Sequence, residues 1–460
     1  MNLLTLSPEL LEEIGNQLGH PDHTRLRAVC KDLEGATQRL FFSSLILNTG
    51  EHLFSRHDFL SALVSGTTGW NAYTRKIVFK PGPYVRPEKY TDEEREVLRG
   101  DNERLFSLAL ETLSVGSNIQ AVEWQPAQNE IQPQYEAIHQ FISRIPALLE
   151  FDLDISRIES HLFSLPSIGQ ELRRIGIKCR RWHSHVQWAS NRDVTPSLYR
   201  HISQAIGTQK GLVRLELEGD TGEWSHIWTI LRKARLQLCE IATNVLTTEF
   251  FEYLLLYSGL QKLDTKHHDA GNRPYNDRLA ETFYGSVLSH HADSLVELSC
   301  PPAYESQFSF GEHNVHVLPQ LSKLESLAMS VNAGRSKFVD WSKRGDSERV
   351  LYIGNPVEIE QADVDSPVNL LLETATRLPA LRNLTISAAD TNSNRGVRCG
   401  NGIIHHTSAV TPAILHTLKE FRSKEENPVA VRVGYAIHEL RLAEEGGAWQ
   451  YEQTAKVPWR

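Results

Sequence analysis

Leu212-Val-Arg-Leu-Glu-Leu217 carries apolar residues at its first, fourth and sixth places. The last three alternate apolar and charged, the pattern of a half-buried strand. Seven further stretches repeat the phrase: Ile119–Trp124, Leu148–Leu153, Leu172–Ile177, Leu260–Thr265, Leu295–Cys300, Leu324–Met329 and Leu381–Ile386. Leu238-Cys-Glu-Ile241 is a weaker copy, and Thr74–Phe79 an early one. The fourth-place residues are Val122, Phe151, Ile175, Leu215, Ile241, Leu263, Leu298, Leu327 and Leu384. They are separated by 29, 24, 40, 26, 22, 35, 29 and 57 positions.

Apolar stretches of helical period precede several copies. Ile138, Phe141, Ile142 and Ile145 share one face before Pro146, and Phe250–Gly259 and Val368–Pro379 behave alike. In each, Gly or Pro ends the helix and the strand follows within a few residues. Short leucine-rich repeats run about 20–29 residues, and five of the eight spacings fit. The region therefore resembles an irregular leucine-rich-repeat array. That implies an α/β solenoid: a horseshoe of short parallel strands with outer helices. The competing reading is an ordinary α/β domain with scattered copies of the phrase.

The flanks read differently. Pro81–Glu103, His267–Arg278, Asn332–Glu348 and Ala388–Asn401 are polar and read as loops, and Arg349–Glu360 as an extra hairpin. The segment Leu45–Phe79 is expected to shield the N-terminal edge of the array, and Gly434–Gln453 the C-terminal edge.

The first fifty residues hold two short helical signals. Ser7-Pro8-Glu9 has the order of cap, first-turn proline and first-turn acid. Leu10, Leu11, Ile14 and Leu18 then fall on one side until Gly19 and Pro21 intervene. Asp22 opens a second stripe of Leu26, Val29, Cys30 and Leu33, and a third apolar run holds Leu40, Phe41, Phe42, Leu45, Ile46 and Leu47. Each such side chain, fully buried, contributes about 1.5–3 kcal/mol. Helices this short cannot cover all of them, so the face packs either on the same chain or on a partner.

Order and spacing here resemble an F-box of the fungal type. The correspondence runs through Leu6, Glu9, Leu10, Leu11, Ile14, Leu18, Asp22, Leu26 to Lys31, Leu40, Phe41 and Leu45. It departs from the family at Ser7, where proline is usual, at His23 and Thr24, where apolar residues are usual, and at Leu33, where an aromatic is common. The resemblance implies a helical motif that docks on a Skp-type adaptor and, through it, a cullin scaffold. The implied docking set is Leu6, Pro8, Leu10, Leu11, Ile14, Leu18, Leu26, Val29 and Cys30, some of them internal to the motif. The chain would then be a non-catalytic substrate receptor of a ubiquitin ligase. The expected divisions are residues 1–47 for the F-box, 48–117 for a linking and capping region, 118–390 for the solenoid and 391–460 for a final repeat and cap.

Outward residues of the repeat strands would line a protein-binding face. They include Asp152, Asp154, Arg174, Lys178, Arg214, Glu216, Glu218, Lys262, Asp264 and Lys266, flanked by Glu123, Glu150 and Glu297. Their signs alternate in blocks, which suits a protein partner of complementary charge.

The 460 residues are 40% apolar and 23% charged, with a formal charge of −9, an ordinary globular composition without a general pull on nucleic acid or anionic membranes. Five dispersed cysteines form no CxxC pair, which argues against a zinc ribbon or disulfide framework and for the cytoplasm or nucleus. Val245–Leu260 is too short and too acidic to span a bilayer. The sequence contains no P-loop, GxSxG, HExxH or GxGxxG. The pairs His183/His185, His267/His268, His290/His291 and His405/His406 are expected as solvated loop or helix-end residues, with no metal or cofactor. Two rival readings stay open: a repeat scaffold unconnected to ubiquitin, and a hydrolase using one of these histidines.

Overall fold

The structure is a computed structural model. It describes residues 6–49, 57–82, 91–115, 118–126, 132–156, 168–169, 171–179, 196–219, 224–333, 337–338, 357–392, 402–423, 429–434, 436–442 and 449–456. These form two compact units, one up to Leu212 and the other from Val213.

The first unit opens with three helices: α1 (Pro8–Asn16), α2 (His20–Arg27) and α3 (Lys31–Phe42). Strand β1 (Ser44–Thr49) follows α3 almost at once. Helices α4 (His57–Val64) and α5 (Gly69–Tyr73) then lead to β2 (Lys76–Pro81). Helix α6 (Asp92–Ser114) precedes β3 (Ala121–Trp124), and α7 (Gln132–Arg144) precedes β4 (Glu150–Asp154). Strand β5 (Arg174–Lys178) and helix α8 (Pro196–Gly207) complete the unit.

Its five strands pair in chain order, all parallel. The register aligns Ile77, Val122, Phe151 and Ile175 in one buried row, with Phe79, Trp124, Leu153 and Ile177 in the next. Side chains two apart on a strand share a face, so both rows point into one core. Phe79 meets Phe106 of α6 and Phe141 of α7 edge-on, at centroid distances of 6.4 and 6.0 Å. Helix-then-strand repetition thus buries the apolar face of each element against its neighbours.

The second unit contains β6 (Arg214–Glu218), α9 (His226–Ala234), β7 (Glu240–Thr243), α10 (Thr248–Leu254) and β8 (Lys262–Asp264). Next come α11 (Arg273–Thr282), continued by a π-helical turn at Phe283–Val287, then β9 (Glu297–Ser299) and β10 (Ser326–Val331). The short β11 (Lys337–Phe338) and β12 (Val357–Glu358) pair antiparallel. After them lie α12 (Gln361–Thr376), β13 (Asn383–Ala388), α13 (Gly402–Glu420) and β14 (Ala430–Val433). Antiparallel strands β15 (Ala436–Leu442) and β16 (Trp449–Lys456) close the sheet.

From β6 to β14, leaving out the β11–β12 pair, the strands are parallel neighbours. Leu215, Ile241, Leu263, Leu298, Leu327, Leu384 and Val431 form one in-register buried row. The nine fourth-place residues of the sequence phrase therefore all fall on such rows. The architecture is α/β, with long parallel sheet segments and flanking helices, as a solenoid requires.

Several expectations need correction. Leu45–Phe79 is no mere shield; it supplies β1 and β2, the first two strands of the array. Pro81–Glu103 is not all loop, because α6 begins at Asp92, and α11 begins inside the supposed loop His267–Arg278. At the C-terminal edge, where a cap was expected over Gly434–Gln453, the antiparallel β15 and β16 end the sheet, β16 running on to Lys456. Of the expected hairpin, Arg349–Pro356 lies outside the described residues, and Val357–Glu358 pairs with β11.

Candidate partner-docking surfaces

The three N-terminal helices enclose a small core of Leu11, Leu33 and Ala36, with Leu6, Leu26 and Cys30 packed against it. Gly15 lets α1 approach α3, since a methyl there would press into Leu40. His23, where the F-box pattern has an apolar residue, is buried and bonds the Gly15 carbonyl at 2.9 Å. That carbonyl, in the last turn of α1, also accepts the Leu18 N–H at 2.9 Å, so the ring ties α2 to an already bonded helix end. The departure from the pattern thus has a structural use.

This core divides the nine candidate docking residues. Leu6, Leu11, Leu26 and Cys30 serve the inside of the motif. Leu10, Ile14, Leu18 and Val29 are exposed by 53%, 43%, 37% and 68%, and Pro8 is exposed beside them. Leu10, Ile14 and Leu18 recur at i, i+4 and i+8, so they form one apolar strip along α1 and the turn after it.

An aromatic clamp holds the motif on the first repeat. The Arg27 guanidinium lies over the Phe41 and Phe42 rings, 4.2 and 4.8 Å from their centroids, and its Nη2 donates to Glu34 at 3.2 Å. Phe42 meets Trp70 edge-on at 4.8 Å, and His20 stacks on Phe41 at 4.8 Å. Gly69 is needed because any side chain there would overlap the Phe42 ring. Arginine over aromatic faces contributes about 0.5–2 kcal/mol per contact, more as water is excluded.

The second candidate surface is the outward face of the strands. In the first unit, Lys76 Nζ donates to Glu123 at 2.9 Å, and Arg174 Nη1 to Asp152 at 2.6 Å and Glu150 at 3.3 Å. Burial alone would raise the Glu123 carboxyl, but hydrogen bonds from Lys76 and Gln125 outweigh it and hold the group below its ordinary value. Gly176 lies opposite Asp152 in register, and a side chain there would overlap the Asp152 carboxylate. Asp154 Oδ1 accepts from the Ser156 backbone at 3.0 Å, and Lys178 lies opposite Asp154 in register.

In the second unit, Arg214, Glu240, Lys262 and Glu297 occupy one register row on four consecutive strands. Arg214 meets Glu240 at 3.3 Å and Lys262 meets Glu297 at 2.8 Å. The hydrogen bond to Glu297 raises the Lys262 ammonium, with further help from the Glu297 and Glu240 charges. On the next outward row Glu216 stands opposite Ala242, and Lys266, just past the end of β8, reaches back to pair with it. Glu216 is buried, which corrects its placement among the solvent-facing residues. Asp264 Oδ1 accepts from the Lys266 backbone at 3.0 Å, while Glu218 ends β6, half-buried. The face therefore carries alternating charges compensated strand to strand.

The histidine pairs need a second correction. His267 and His290 are exposed, but His268 and His291 are buried. Burial pushes the His268 ring down to about 3, with Nδ1 3.0 Å from Thr265 Oγ1. Burial also lowers His291 to about 4; its Nε2 donates to the Leu254 carbonyl at 3.0 Å. His406 is buried, 3.5 Å from Glu305, whose carboxylate also accepts the Ala333 backbone N–H at 2.7 Å. His183 and His185 lie outside the described residues. Among the described residues no three His, Cys, Asp or Glu side chains gather as a metal site, and no helix is long and apolar enough to cross a membrane. Among the described residues the side chains form an exposed apolar strip on α1 and a sheet face of paired charges.

No family model matches the sequence, and no curated protein matches it. Among solved structures, the chain is similar to one described as the crystal structure of the Rad7 and Elc1 complex in yeast. The identity is 11% and the TM-score 0.28, over 66% of this chain and 81% of that one. A likeness at that level says nothing of function.

Proposed function

We propose that this chain is a substrate receptor of an SCF-type ubiquitin ligase, with an F-box that docks on a Skp-type adaptor and a leucine-rich-repeat-like region that binds a protein substrate. One observation carries the reading: the N-terminal helices complete a core of their own and still leave Leu10, Ile14, Leu18 and Val29 in solvent. A motif that served only to cap the sheet would turn those residues inward. Exposed apolar strips on short helices are recurrent protein-docking elements. The F-box-like order of residues gives the class of partner. The sheet face, with its paired charges, suits a polar protein surface that exchanges ion pairs on binding. In this reading the chain does no chemistry itself; a lysine of the bound substrate is modified by the other ligase subunits.

Capture of purified Skp-type adaptor by the full chain, compared with a chain lacking residues 1–47, tests the proposal. Capture by the full chain alone supports it. No capture by the full chain at micromolar concentration favours the rival, a repeat scaffold without a link to ubiquitin.

A further inference from the structure

The chain contains four Ser-Pro or Thr-Pro dipeptides, at Ser7, Thr195, Ser366 and Thr411. Kinases that select proline after the acceptor need the acceptor exposed and its backbone extended, the conformation the following proline itself favours. Ser366 precedes a proline inside α12, so its backbone is helical. Thr411 also precedes a proline inside a helix, α13, and its hydroxyl is spent on the Thr407 carbonyl at 2.8 Å. Thr195 lies outside the described residues. Ser7 is exposed, with φ −66° and ψ 154°; its hydroxyl caps no backbone N–H of α1 and meets only the exposed Glu9 carboxylate. Among the described residues it alone meets both requirements.

Its place matters more than its motif. Ser7 sits between Leu6 and Pro8 and one turn ahead of Leu10, at the start of the exposed strip. Building on the adaptor-docking reading, we infer that Ser7 is a phosphorylation site and that the added charge switches docking off. In the reaction the Ser7 hydroxyl oxygen attacks the γ-phosphorus of ATP. The new O–P bond forms as the bond from that phosphorus to the bridging oxygen breaks. ADP leaves, and the hydroxyl proton passes to the kinase's base.

Two opposed effects follow from a doubly charged group there. At the start of α1 it meets the positive end of the helix, which favours the fold. At the rim of an apolar interface it must shed water without a counter-charge, which opposes binding. Glu9, whose carboxylate is held below its ordinary value by its own backbone N–H and by the Ser7 hydroxyl, would repel the phosphate and offset part of the first effect. Binding and folding should therefore move in different directions, which a merely disruptive change would not produce.

The test treats the full chain with a proline-directed kinase and Mg-ATP, maps phosphate by mass spectrometry, and measures affinity for purified Skp-type adaptor together with the melting temperature. The expected result is phosphate on Ser7, at least a tenfold loss of affinity, and no fall in melting temperature. Ser7→Glu should show part of the loss and Ser7→Ala none. Absence of phosphate on Ser7, or unchanged affinity of the phosphorylated chain, overturns this inference and leaves the docking reading intact. Failure of the unmodified chain to bind adaptor overturns both.

Discussion

Nε2 of His23 donates to the backbone carbonyl of Gly15 across 2.9 Å, joining α2 to the last turn of α1. A carbonyl can only accept, so the ring carries its proton on Nε2. His23→Ala removes this bond and the ring that fills the site. A loss of about 1–3 kcal/mol is expected. Hydrogen exchange should show it as faster exchange in α1 and α2, with the strands of the first unit little changed.

Gly176 makes room for the Asp152 carboxylate, which is held by Arg174 at 2.6 Å. Gly176→Val overpacks that spot and should cost about 1–3 kcal/mol. Adding Asp152→Ala relieves the overlap. Urea melts of the two single variants and the double should therefore show coupling, the double being more stable than the sum predicts.

Lys262 stands between Glu240 and Glu297 in its row. Lys262→Glu sets three like charges side by side, for a loss under about 1 kcal/mol because the side chains are partly exposed. Raising salt should recover most of it. A loss that salt does not change would mean that Lys262 stabilises the sheet by packing rather than by charge.

Buried His268 and His291 set the response to acid. Their folded-state values, about 3 and about 4, lie below the ordinary 6.5. The unfolded chain binds the protons first as pH falls. Stability is then complete above about pH 6.5 and declines as pH drops toward the folded values. Melting temperature against pH should fall in that window, and His291→Gln should flatten the slope. A slope identical in the variant would contradict the assignment.

Much of the array was legible because it repeats one requirement. Each strand needs an apolar residue at the same register position, and the phrase around Leu215 states it nine times. Strand β14 escaped because its Val431 and Val433 alternate without the leading leucine. Strand β1 escaped because it follows α3 with no separating turn signal. The start of α6 read as loop because Asp92–Glu103 is dominated by charge, while the apolar residues that mark a buried helix face, Phe106, Ala109, Leu110 and Leu113, come only after it. The histidine pairs read as solvated because nothing local marks which member turns inward; that depends on contacts as distant as His291 with Leu254. The apolar residues of the first three helices were legible as one group. Its division into inner and outer members required the packing of Leu11, Leu33 and Ala36, which helical period alone does not fix.

The affinity of the full chain for purified Skp-type adaptor, by calorimetry, bears most directly on the central claim when wild type is set beside Leu10→Asp/Ile14→Asp. Both leucine and isoleucine are solvent-exposed, so the double variant should melt as wild type does while its binding falls by at least a hundredfold, about 2.7 kcal/mol. Unchanged binding in the folded double variant would contradict it.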